Sequence, residues 1–501
     1  MLTLFAVGKK ASLKYLFLNY VNFIKNNSTK LLCIFFFYFI ATMFISLTNY
    51  PYIDDIGRQL IGYSGFSEHY SRFLSEYSSR LIQGSSHLTD LGFTTSFIIS
   101  ILLSLISITV IYLFSNSNET TWLTAICSVC LGLNPWFLEA LSFRFDSPYI
   151  VLSIFVSVFP LIFWYANSFS YFSCSMFGIF LMCNSYQASS GIFIVLVLTI
   201  FMLEIRKDFS LDSLKKLLIS SLSYLAGMGL YYLQLKIHPP IFNDSIKMSD
   251  VNELLGNSIK NIGDYITNIY NQSATIWVIL FYFILVLFFI NYLQVFKFNF
   301  ITFLPMLVIY VILCTVLSYG SYIFLKQSYS LLRPRYEYGF GFFVAIMLIS
   351  LTLLDSRKII KKVVMLVSYL FSFYIISFSF VYSSSLNQQK EVFNSQSIIL
   401  SQSLNKLVDV NNRVVFVNRF LKNSAILDNS SLNYPLLKSL IMPNTNVSWD
   451  NTMRFNELTK LSLDFKLFDE GSIIFEEKDL LDDTLIYKIY SFENNIYVIM
   501  K

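Results

Sequence analysis

Up to residue 383, the chain alternates long apolar runs with short polar connections. The longer runs reach the roughly 20 residues that an α-helix needs to cross a bilayer. The pattern predicts a polytopic α-helical membrane protein with about eleven transmembrane helices. The predicted spans are Leu31–Thr48, Phe93–Phe114, Trp122–Leu138, Tyr149–Ala166, Tyr171–Asn184, Gly191–Leu203, Leu217–Ile237, Ile276–Phe296, Ile301–Gly320, Gly341–Leu354 and Val363–Tyr382.

The composition changes after Val381, where the chain becomes polar and rich in Asn, Ser, Asp and Lys. This change predicts a transmembrane domain over residues 1–383 and a small α/β domain over residues 384–501, which is long enough for one modest core. We find no catalytic motif in the second domain and expect a structural or acceptor-binding role. Its predicted elements are a helix over Val392–Val410 and strands over Arg413–Asn418, Ser472–Glu476, Thr484–Tyr490 and Ile496–Met500.

The distribution of basic residues orients the chain. Lysines occur throughout residues 1–30, and no small-residue cleavage site follows the first apolar run, so a cytoplasmic N-terminus is expected rather than a signal peptide. Two short basic loops, Glu204–Lys216 and Asp355–Lys362, then fall in the cytoplasm, as the positive-inside rule requires. An odd number of helices places the C-terminal domain outside, together with the long connections that follow the first, third, seventh and ninth spans.

Composition excludes several other classes. Hydrophobic residues make up 55% of the chain and charged residues 13%, and the mean hydropathy is +0.59, which a soluble domain does not sustain. There is no basic run interleaved with aromatic residues, so no nucleic-acid partner is expected. Cys127 and Cys130 form a C-x-x-C inside an apolar run, where core packing is the ordinary explanation. No metal site or cofactor is therefore expected, and dependence on a divalent ion stays open.

Two adjacent carboxylates, Asp54 and Asp55, follow the first span, with Arg58 close behind them. Charge at a membrane surface is costly to desolvate, so such a cluster is a candidate site. A carboxylate in this position can take the proton from an acceptor hydroxyl, and either aspartate is a candidate general base. The alternative is a charge cluster that only marks the end of the helix.

The outward-facing loops have no access to nucleotide sugars or ATP, and the chain has no nucleotide-binding glycine motif. A transferase acting there needs a donor that has crossed the membrane, such as a sugar linked to a lipid phosphate. Arg333 and Arg335, with Lys326 as a weaker candidate, are expected to hold that phosphate, because a guanidinium binds two oxygens at once. The alternative is that these arginines anchor a helix end at the interface.

A second outside loop carries Glu139, Arg144 and Asp146. We expect Arg144 and Asp146 to join the carboxylate pair in one site, where they contact a sugar or a phosphate. The sequence Asp146-Ser-Pro is also a good helix start, so capping is the alternative role of this aspartate.

These segments resemble the multi-pass O-antigen glucosyltransferases that mediate bacterial serotype conversion and are often carried by phages. Asp54-Asp-Ile-Gly-Arg58 is similar to the Asp-Asp-x-x-Arg of that family, and Gly62-Tyr-Ser-Gly-Phe66 is similar to its Gly-Tyr-x-Gly-aromatic run. Residues 134–139 and 142–148 resemble the family's second outside motif, and residues 186–189 resemble a further motif.

The resemblance implies substrate-binding roles for particular residues. The sequence departs from the family pattern at two positions, where Phe66 replaces the usual Trp and Ser71 replaces the usual Gly. The residues that it assigns to substrate binding are Arg58, Arg72, Arg144, Asp146, Tyr186 and Gln187.

The resemblance also implies a C-type glycosyltransferase (GT-C) fold. The expected reaction moves glucose from polyprenyl-phosphate-glucose to the O-antigen glycan of lipopolysaccharide, on the periplasmic face of the bacterial inner membrane. Membrane lipid surrounds the helices, and a donor flippase and a cytoplasmic donor synthase are the expected pathway partners. Neither the acceptor sugar nor its hydroxyl is implied.

Two other functions fit a similar topology. An O-antigen polymerase or ligase also uses lipid-linked glycans outside the membrane, but it relies mainly on arginines in large loops, and the acidic pair after the first span argues against it. A non-enzymatic lipid-linked glycan flippase would carry charges inside its spans. Here the charges cluster at the outer ends of the spans.

Overall fold

The computed structural model describes residues 11–205, 210–242, 247–295, 300–354, 357–408 and 413–501, and this chain is mostly helical. Residues 1–10 and parts of both basic loops used to orient the chain lie outside the described residues. The helices are α1 (Leu13–Asn26), α2 (Ser28–Leu47), α3 (Asp55–Ile61), α4 (Phe66–Tyr70), α5 (Phe73–Gln83), α6 (Phe93–Phe114), α7 (Trp122–Ser128), α8 (Leu138–Ser142), α9 (Ser147–Val158), α10 (Ser168–Cys183), α11 (Ser190–Ile205), α12 (Leu211–Ile237), α13 (Leu254–Gln272), α14 (Thr275–Val295), α15 (Phe300–Leu317), α16 (Tyr338–Leu353), α17 (Lys358–Leu407), α18 (Ala425–Asn433), α19 (Leu437–Leu440) and α20 (Trp449–Thr459).

The predicted number of about eleven transmembrane helices is not confirmed. Within the described residues, 5 helices are long and apolar enough to cross a membrane, or up to 6 if one bent pair counts as a span. The five are Ser28–Leu47, Phe93–Phe114, Gln187–Ile205, Thr275–Leu293 and Lys358–Leu407. Shorter apolar helices cover Ser147–Phe163, Ser168–Cys183, Phe303–Leu317 and Tyr338–Leu353.

Helix breakers explain why several apolar runs give shorter helices. The third predicted span divides into Trp122–Leu131 and Pro135–Ser142, which are bent by 48°. Pro135 cannot continue the preceding helix, because its nitrogen carries no hydrogen to donate. Pro160 lies in the 3₁₀ stretch Phe159–Phe163, which follows α9. Hydropathy alone does not register these interruptions.

The chain forms two compact units. The first comprises the residues up to Ser46 together with Tyr63–Phe380, and the second comprises Leu47–Gly62 together with Val381–Lys501. Helix α17 contributes to both units. The domain boundary drawn from the sequence stays a prediction.

In the first unit, α16 is buried along nearly its whole length, from Tyr338 to Leu351. A helix that is apolar on every side belongs in the interior, where each face finds an apolar neighbour. It packs against α7, α11 and α14.

Glycines allow a close approach around one carbonyl group in this unit. An added Cβ at Gly191 would lie 2.2 Å from the Ser318 carbonyl oxygen, and one at Gly339 would lie 2.1 Å from the same atom. Gly320 has a φ of +62° and packs against Ser190. The starts of α11 and α16 are thereby held against the end of α15.

The second unit contains a five-stranded sheet of order β2-β1-β5-β4-β3. Strand β1 pairs in parallel with β2 and β5, whereas β4 pairs antiparallel with β5 and β3. The core between the sheet and its helices includes Phe393, Phe455, Val498 and other buried apolar residues. The strands are β1 (Val414–Val417), β2 (Asp464–Leu467), β3 (Leu480–Asp483), β4 (Tyr487–Phe492) and β5 (Asn495–Met500).

One strand predicted from the sequence is wrong. Residues 470–472 form a 3₁₀ turn, and residues 473–476 have no regular structure. Their apolar pattern has another cause, since the ring of Phe475 stacks on Tyr490 with a centroid distance of 4.5 Å. Strands β2 and β3 were not predicted. Strand β2 lies at the sheet edge and buries only Phe465, so it lacks an apolar alternation.

Residues 47–62 belong to the second unit through specific contacts with the C-terminal chain. The Tyr52 hydroxyl donates a hydrogen bond to the Leu440 carbonyl oxygen. The Arg454 guanidinium lies 5.1 Å from the ring centroid of Tyr50. Helix α3 packs against α20.

The glycine contacts generate a first prediction. Gly191→Ala is expected to destabilise the protein by about 1–3 kcal/mol or more, because the new methyl group meets a backbone oxygen that cannot rotate away. Gly229→Ala is the matched control, since nothing lies within 4 Å of its Cβ position in α12. It should be neutral or stabilise by up to about 1 kcal/mol. Thermal unfolding of the detergent-purified variants measures both effects, and equal melting temperatures would contradict the contact.

Candidate active site

A buried ion-pair cluster in the first unit joins two distant parts of the chain. Glu139 has no exposed side-chain surface, and its Oε1 accepts a hydrogen bond from Arg333 Nε at 2.7 Å. Its Oε2 accepts the backbone N–H of Arg335 at 2.9 Å. The Arg335 guanidinium lies 3.6 Å from the same carboxylate. One carboxylate therefore positions both arginines.

The local sequence shapes this loop. Pro334 begins the 3₁₀ turn Pro334–Tyr336, and its fixed φ suits the first position of such a turn. Arg333 before it is extended, with φ −153° and ψ 138°, as expected for a residue that precedes proline. The Arg335 guanidinium lies over the rings of Phe143 and Tyr336, at 4.9 and 5.3 Å. Aromatic faces help to hold its charge in place.

The arginine side chains of this cluster remain 18% and 19% exposed, whereas the Glu139 side chain has no exposed surface. A second carboxyl group, Glu337, is buried at the start of α16. Burial raises the pKa of Glu337 well above its ordinary value, a hydrogen bond from Asn268 opposes this effect, and the charge of Glu139 adds to it. The neutral form of Glu337 is therefore favoured.

Glu337 is held by α13 at the start of α16. Its Oε1 accepts a hydrogen bond from Asn268 Nδ2 at 2.7 Å, and its buried Oε2 has no hydrogen-bond partner among the described residues. The phenol groups of Tyr265 and Tyr319 lie near this carboxyl group. A proton on Glu337 removes the cost of an ionised carboxylate at this position.

Arg72 lies between two aromatic rings. Its guanidinium is 4.7 Å from the ring centroid of Tyr70 and 4.8 Å from that of Tyr186. Its Nε donates to Gln187 Oε1 at 3.1 Å, and Gln187 Nε2 donates to the Tyr231 hydroxyl at 2.6 Å. The structure thus brings together three residues that the sequence resemblance assigned to substrate binding.

Tyr186 connects the two arginine groups. Burial raises its pKa, and the charges of Arg335 and Arg72 oppose that effect, so both cations lie near this phenol. Its buried hydroxyl makes no hydrogen bond with the described residues. We call Glu139, Arg333, Arg335, Arg72 and Tyr186 the arginine cluster. It presents cations and a phenol hydroxyl, which suit an anionic ligand.

Arg144 and Asp146 belong to the first unit. Arg144 forms a bidentate pair with Asp90, with Nε and Nη2 donating at 2.9 and 3.0 Å. Its Nη1 donates to the Ser46 carbonyl oxygen at 3.1 Å, so this arginine also holds the end of α2. Asp146 precedes α9, but its side chain makes no capping hydrogen bond to that helix. The substrate-binding roles of both residues stay predictions.

The candidate catalytic pair belongs to the second unit, as does Arg58, and the two aspartates differ in environment. Asp55 is buried, and its Oδ2 accepts the backbone N–H of Tyr52 at 3.0 Å. Asp54 is partly exposed and makes no capping hydrogen bond to α3. Arg58 is buried in that helix. Asp54 is therefore the more accessible of the two carboxylates.

The backbone at this point is strained. Ile53 has a φ of 43°, a conformation that a β-branched residue rarely adopts. Such a conformation costs about 1–3 kcal/mol and persists only where surrounding contacts enforce it. It turns the chain immediately before Asp54, which fits a residue held in place for chemistry.

Lys326 is not brought to the arginine cluster by a hydrogen bond or an ion pair in the described chain, and its side chain is exposed. No group of three or more His, Cys, Asp or Glu side chains suited to a metal ion occurs among the described residues. Sequence reasoning missed the functions of Glu139 and Glu337. The sequence did contain a signal for both residues. Glu139 follows an apolar run, and Glu337 lies between Arg335 and the next apolar run.

Comparison with known proteins gives one match. A family model described as "Glucosyl transferase GtrII" matches residues 43–346, more than half of the chain. Neither the curated proteins nor the solved structures give a match.

The different environments of the two aspartates generate a second prediction. Asp54→Asn is expected to lower turnover by about 10²–10⁴, as for a lost general base, without a change in melting temperature. Asp55→Asn is expected to lower the free energy of unfolding by about 1–3 kcal/mol, because a buried hydrogen-bonded carboxylate is lost. Turnover and thermal unfolding are measured on the same preparations. Wild-type turnover in Asp54→Asn would show that Asp54 is not the general base.

Glu337 generates a third prediction, on pH. Its folded pKa is raised, so the folded state binds the proton more tightly than the unfolded state does. Its stabilising contribution is complete below the unfolded value of about 4.3 and is lost as the pH rises towards the folded pKa. Glu337→Gln cannot ionise. We expect its melting temperature, relative to wild type, to increase from about pH 5 to about pH 8.

The control for this measurement is Glu253→Gln, which alters an exposed glutamate of the same unit. This variant should follow the wild type at every pH. A constant difference between Glu337→Gln and wild type across the range would show that Glu337 does not take up a proton on folding.

Proposed function

The chain belongs to the glucosyl transferase GtrII family, and we propose that it transfers glucose from polyprenyl-phosphate-glucose to an O-antigen glycan. We place this reaction on the periplasmic face of the bacterial inner membrane. The family supports the transferred sugar and, through its role in O-antigen modification, the acceptor. Apolar helices of membrane-spanning length support a lipid-linked donor.

The observation that carries the proposal is the pair of arginines held by Glu139. A buried carboxylate fixes Arg333 and Arg335 while leaving about a fifth of each side chain exposed. Planar guanidinium groups bind phosphate oxygens in a bidentate manner. We infer that the phosphate of the donor binds at the exposed edges of these two guanidinium groups.

The chemistry is a single displacement at the anomeric carbon of glucose. The bond from that carbon to the phosphate oxygen breaks, and a bond to the acceptor hydroxyl oxygen forms. Asp54 takes the proton of that hydroxyl, and polyprenyl phosphate leaves with the electron pair of the broken bond. Negative charge grows on the leaving phosphate, so fixed cations stabilise the transition state more than the ground state.

Other residues have supporting functions in this proposal. Arg72, held by two aromatic rings and by Gln187, contributes a further cation to the same cluster. Glu139 is a positioning residue, because it acts through the arginines. In this scheme, a donor flippase and a cytoplasmic donor synthase supply polyprenyl-phosphate-glucose.

The test is sugar analysis of O-antigen from cells with and without the gene. Wild type is expected to add a glucose branch. A changed chain length without added glucose would indicate a polymerase or ligase, and an unchanged glycan would contradict transfer to O-antigen.

The same assay tests the arginines as a fourth prediction. Arg333→Lys is expected to lose about tenfold or more of the glucose addition despite its retained charge, since an ammonium group does not copy the fork geometry. Lys260→Arg is the control, because this exposed lysine of α13 is not a candidate site residue, and it should add glucose as wild type does. Protein abundance in the membrane is measured for each variant. Wild-type glucose addition by Arg333→Lys and Arg335→Lys would make these residues interfacial anchors.

A further inference from the structure

A groove of 660 Å³ lies in the second unit, along α3 and α20. Its volume is within the range of about 300–1,000 Å³ that is usual for small-molecule sites. Its walls are formed by Leu60, Trp449, Thr452, Glu457, Lys460 and Asp464, together with neighbouring residues. All of these residues belong to the second unit, which also contains Asp54.

Trp449 provides an aromatic surface in this groove. Its side chain is 53% exposed, although a large apolar ring is normally buried in a soluble domain. The ring lies beside α3, since an added Cβ at Gly57 would be 3.8 Å from Trp449 Cζ3. Tryptophan combines a broad apolar face with an N–H donor, and this combination suits a ligand with one apolar face and a polar edge.

The polar lining of the groove disfavours an anion. Glu457 and Asp464 contribute two negative charges and Lys460 contributes one positive charge, which leaves a net charge of −1. Lys460 is already paired with Glu457 at 2.6 Å. Asp464 lies 3.8 Å from Lys466, so both lysines beside this lining already have an acidic partner and are poorly placed to bind a phosphate or an acidic lipid. A neutral ligand rich in hydroxyl groups would find carboxylate and hydroxyl partners.

A left-handed turn follows α20. Lys460 ends that helix with a φ of 61°, the conformation that is common at helix C-termini. Ser462 also has a positive φ, of 54°. The turn brings Lys460, Ser462 and Asp464 to the groove.

We propose that this groove binds the acceptor glycan as neutral sugar rings, one of which stacks on Trp449. The apolar C–H face of a sugar packs on the indole, while its hydroxyl groups reach Thr452, Glu457 and Asp464. Leu60 in the groove and Asp54 lie near opposite ends of α3, about 9 Å apart along the helix axis. A short oligosaccharide spans that distance. The identity of the ligand as acceptor rests on the proposed function.

The experiment uses the full chain in detergent and a phosphate-free O-antigen oligosaccharide as the probe. Calorimetric titration measures its affinity for wild type, Trp449→Ala, Trp449→Phe and Trp122→Ala. Trp449→Ala is expected to weaken binding about tenfold or more, whereas Trp449→Phe retains an aromatic face and most of the affinity. Trp122 is 52% exposed in the first unit, so Trp122→Ala is a matched control that should bind as wild type.

A competition measurement tests whether the groove binds a glycan or a lipid phosphate. Dodecyl phosphate is added as a competitor and is expected to leave oligosaccharide binding unchanged. Displacement of the oligosaccharide by dodecyl phosphate would overturn the glycan assignment. So would the absence of oligosaccharide binding to wild type, or equal affinity in folded Trp449→Ala.

Turnover distinguishes this inference from the proposed function. In Trp449→Ala, the KM for the glycan is expected to rise about tenfold, while the KM for polyprenyl-phosphate-glucose stays constant. An unchanged KM for the glycan would overturn the assignment of the groove as a glycan site, without contradicting the transferase function. Oligosaccharide binding without any glucose transfer by wild type would refute the transferase function and keep the groove as a glycan site.

Discussion

The buried carboxylate of Glu139 is the interaction on which the arginine cluster depends. An ionised carboxylate without exposed surface is tolerated only when it is paired and hydrogen-bonded. Arg333 Nε and the backbone N–H of Arg335 supply those bonds, which fix residues 333–335 to the start of α8. Removal of one partner from such a pair typically costs about 3–5 kcal/mol, because the other charge stays buried. Loop position and arginine orientation are therefore set by the same contact.

The arginine cluster and the groove beside Trp449 differ in their charged groups. The cluster places Arg72, Arg333 and Arg335 near the carboxylate of Glu139 and the ring of Tyr186. The charged residues of the groove form acid–base pairs with one another or with a neighbouring lysine. Under the proposed function, the phosphate of the donor suits the cluster and the neutral sugars of the acceptor suit the groove.

The sequence identified the local motifs but not the partners of their residues. Asp54 and Arg333 were recognisable because charge at the end of an apolar run is rare and costly. Arg72 was recognisable only through the resemblance to the family. The pairing of Arg333 with Glu139 was not predictable, because a contact across so many residues depends on tertiary packing. The neutral state of Glu337 depends in the same way on burial. The predicted number of spans is not confirmed, and hydropathy does not register breaks such as Pro135.

The least predictable feature is the membership of residues 47–62 in the second unit. These residues follow the first span in sequence, yet Tyr50 and Tyr52 are buried through contacts with Arg454 and Leu440. Burial of two large aromatic side chains provides several kcal/mol, which exceeds the cost of about 1–3 kcal/mol for the strained Ile53. The strained turn before Asp54 is thus maintained by the C-terminal chain. A polar tail without a catalytic motif therefore determines the orientation of the candidate base, because the strained turn cannot persist without the contacts that the tail supplies.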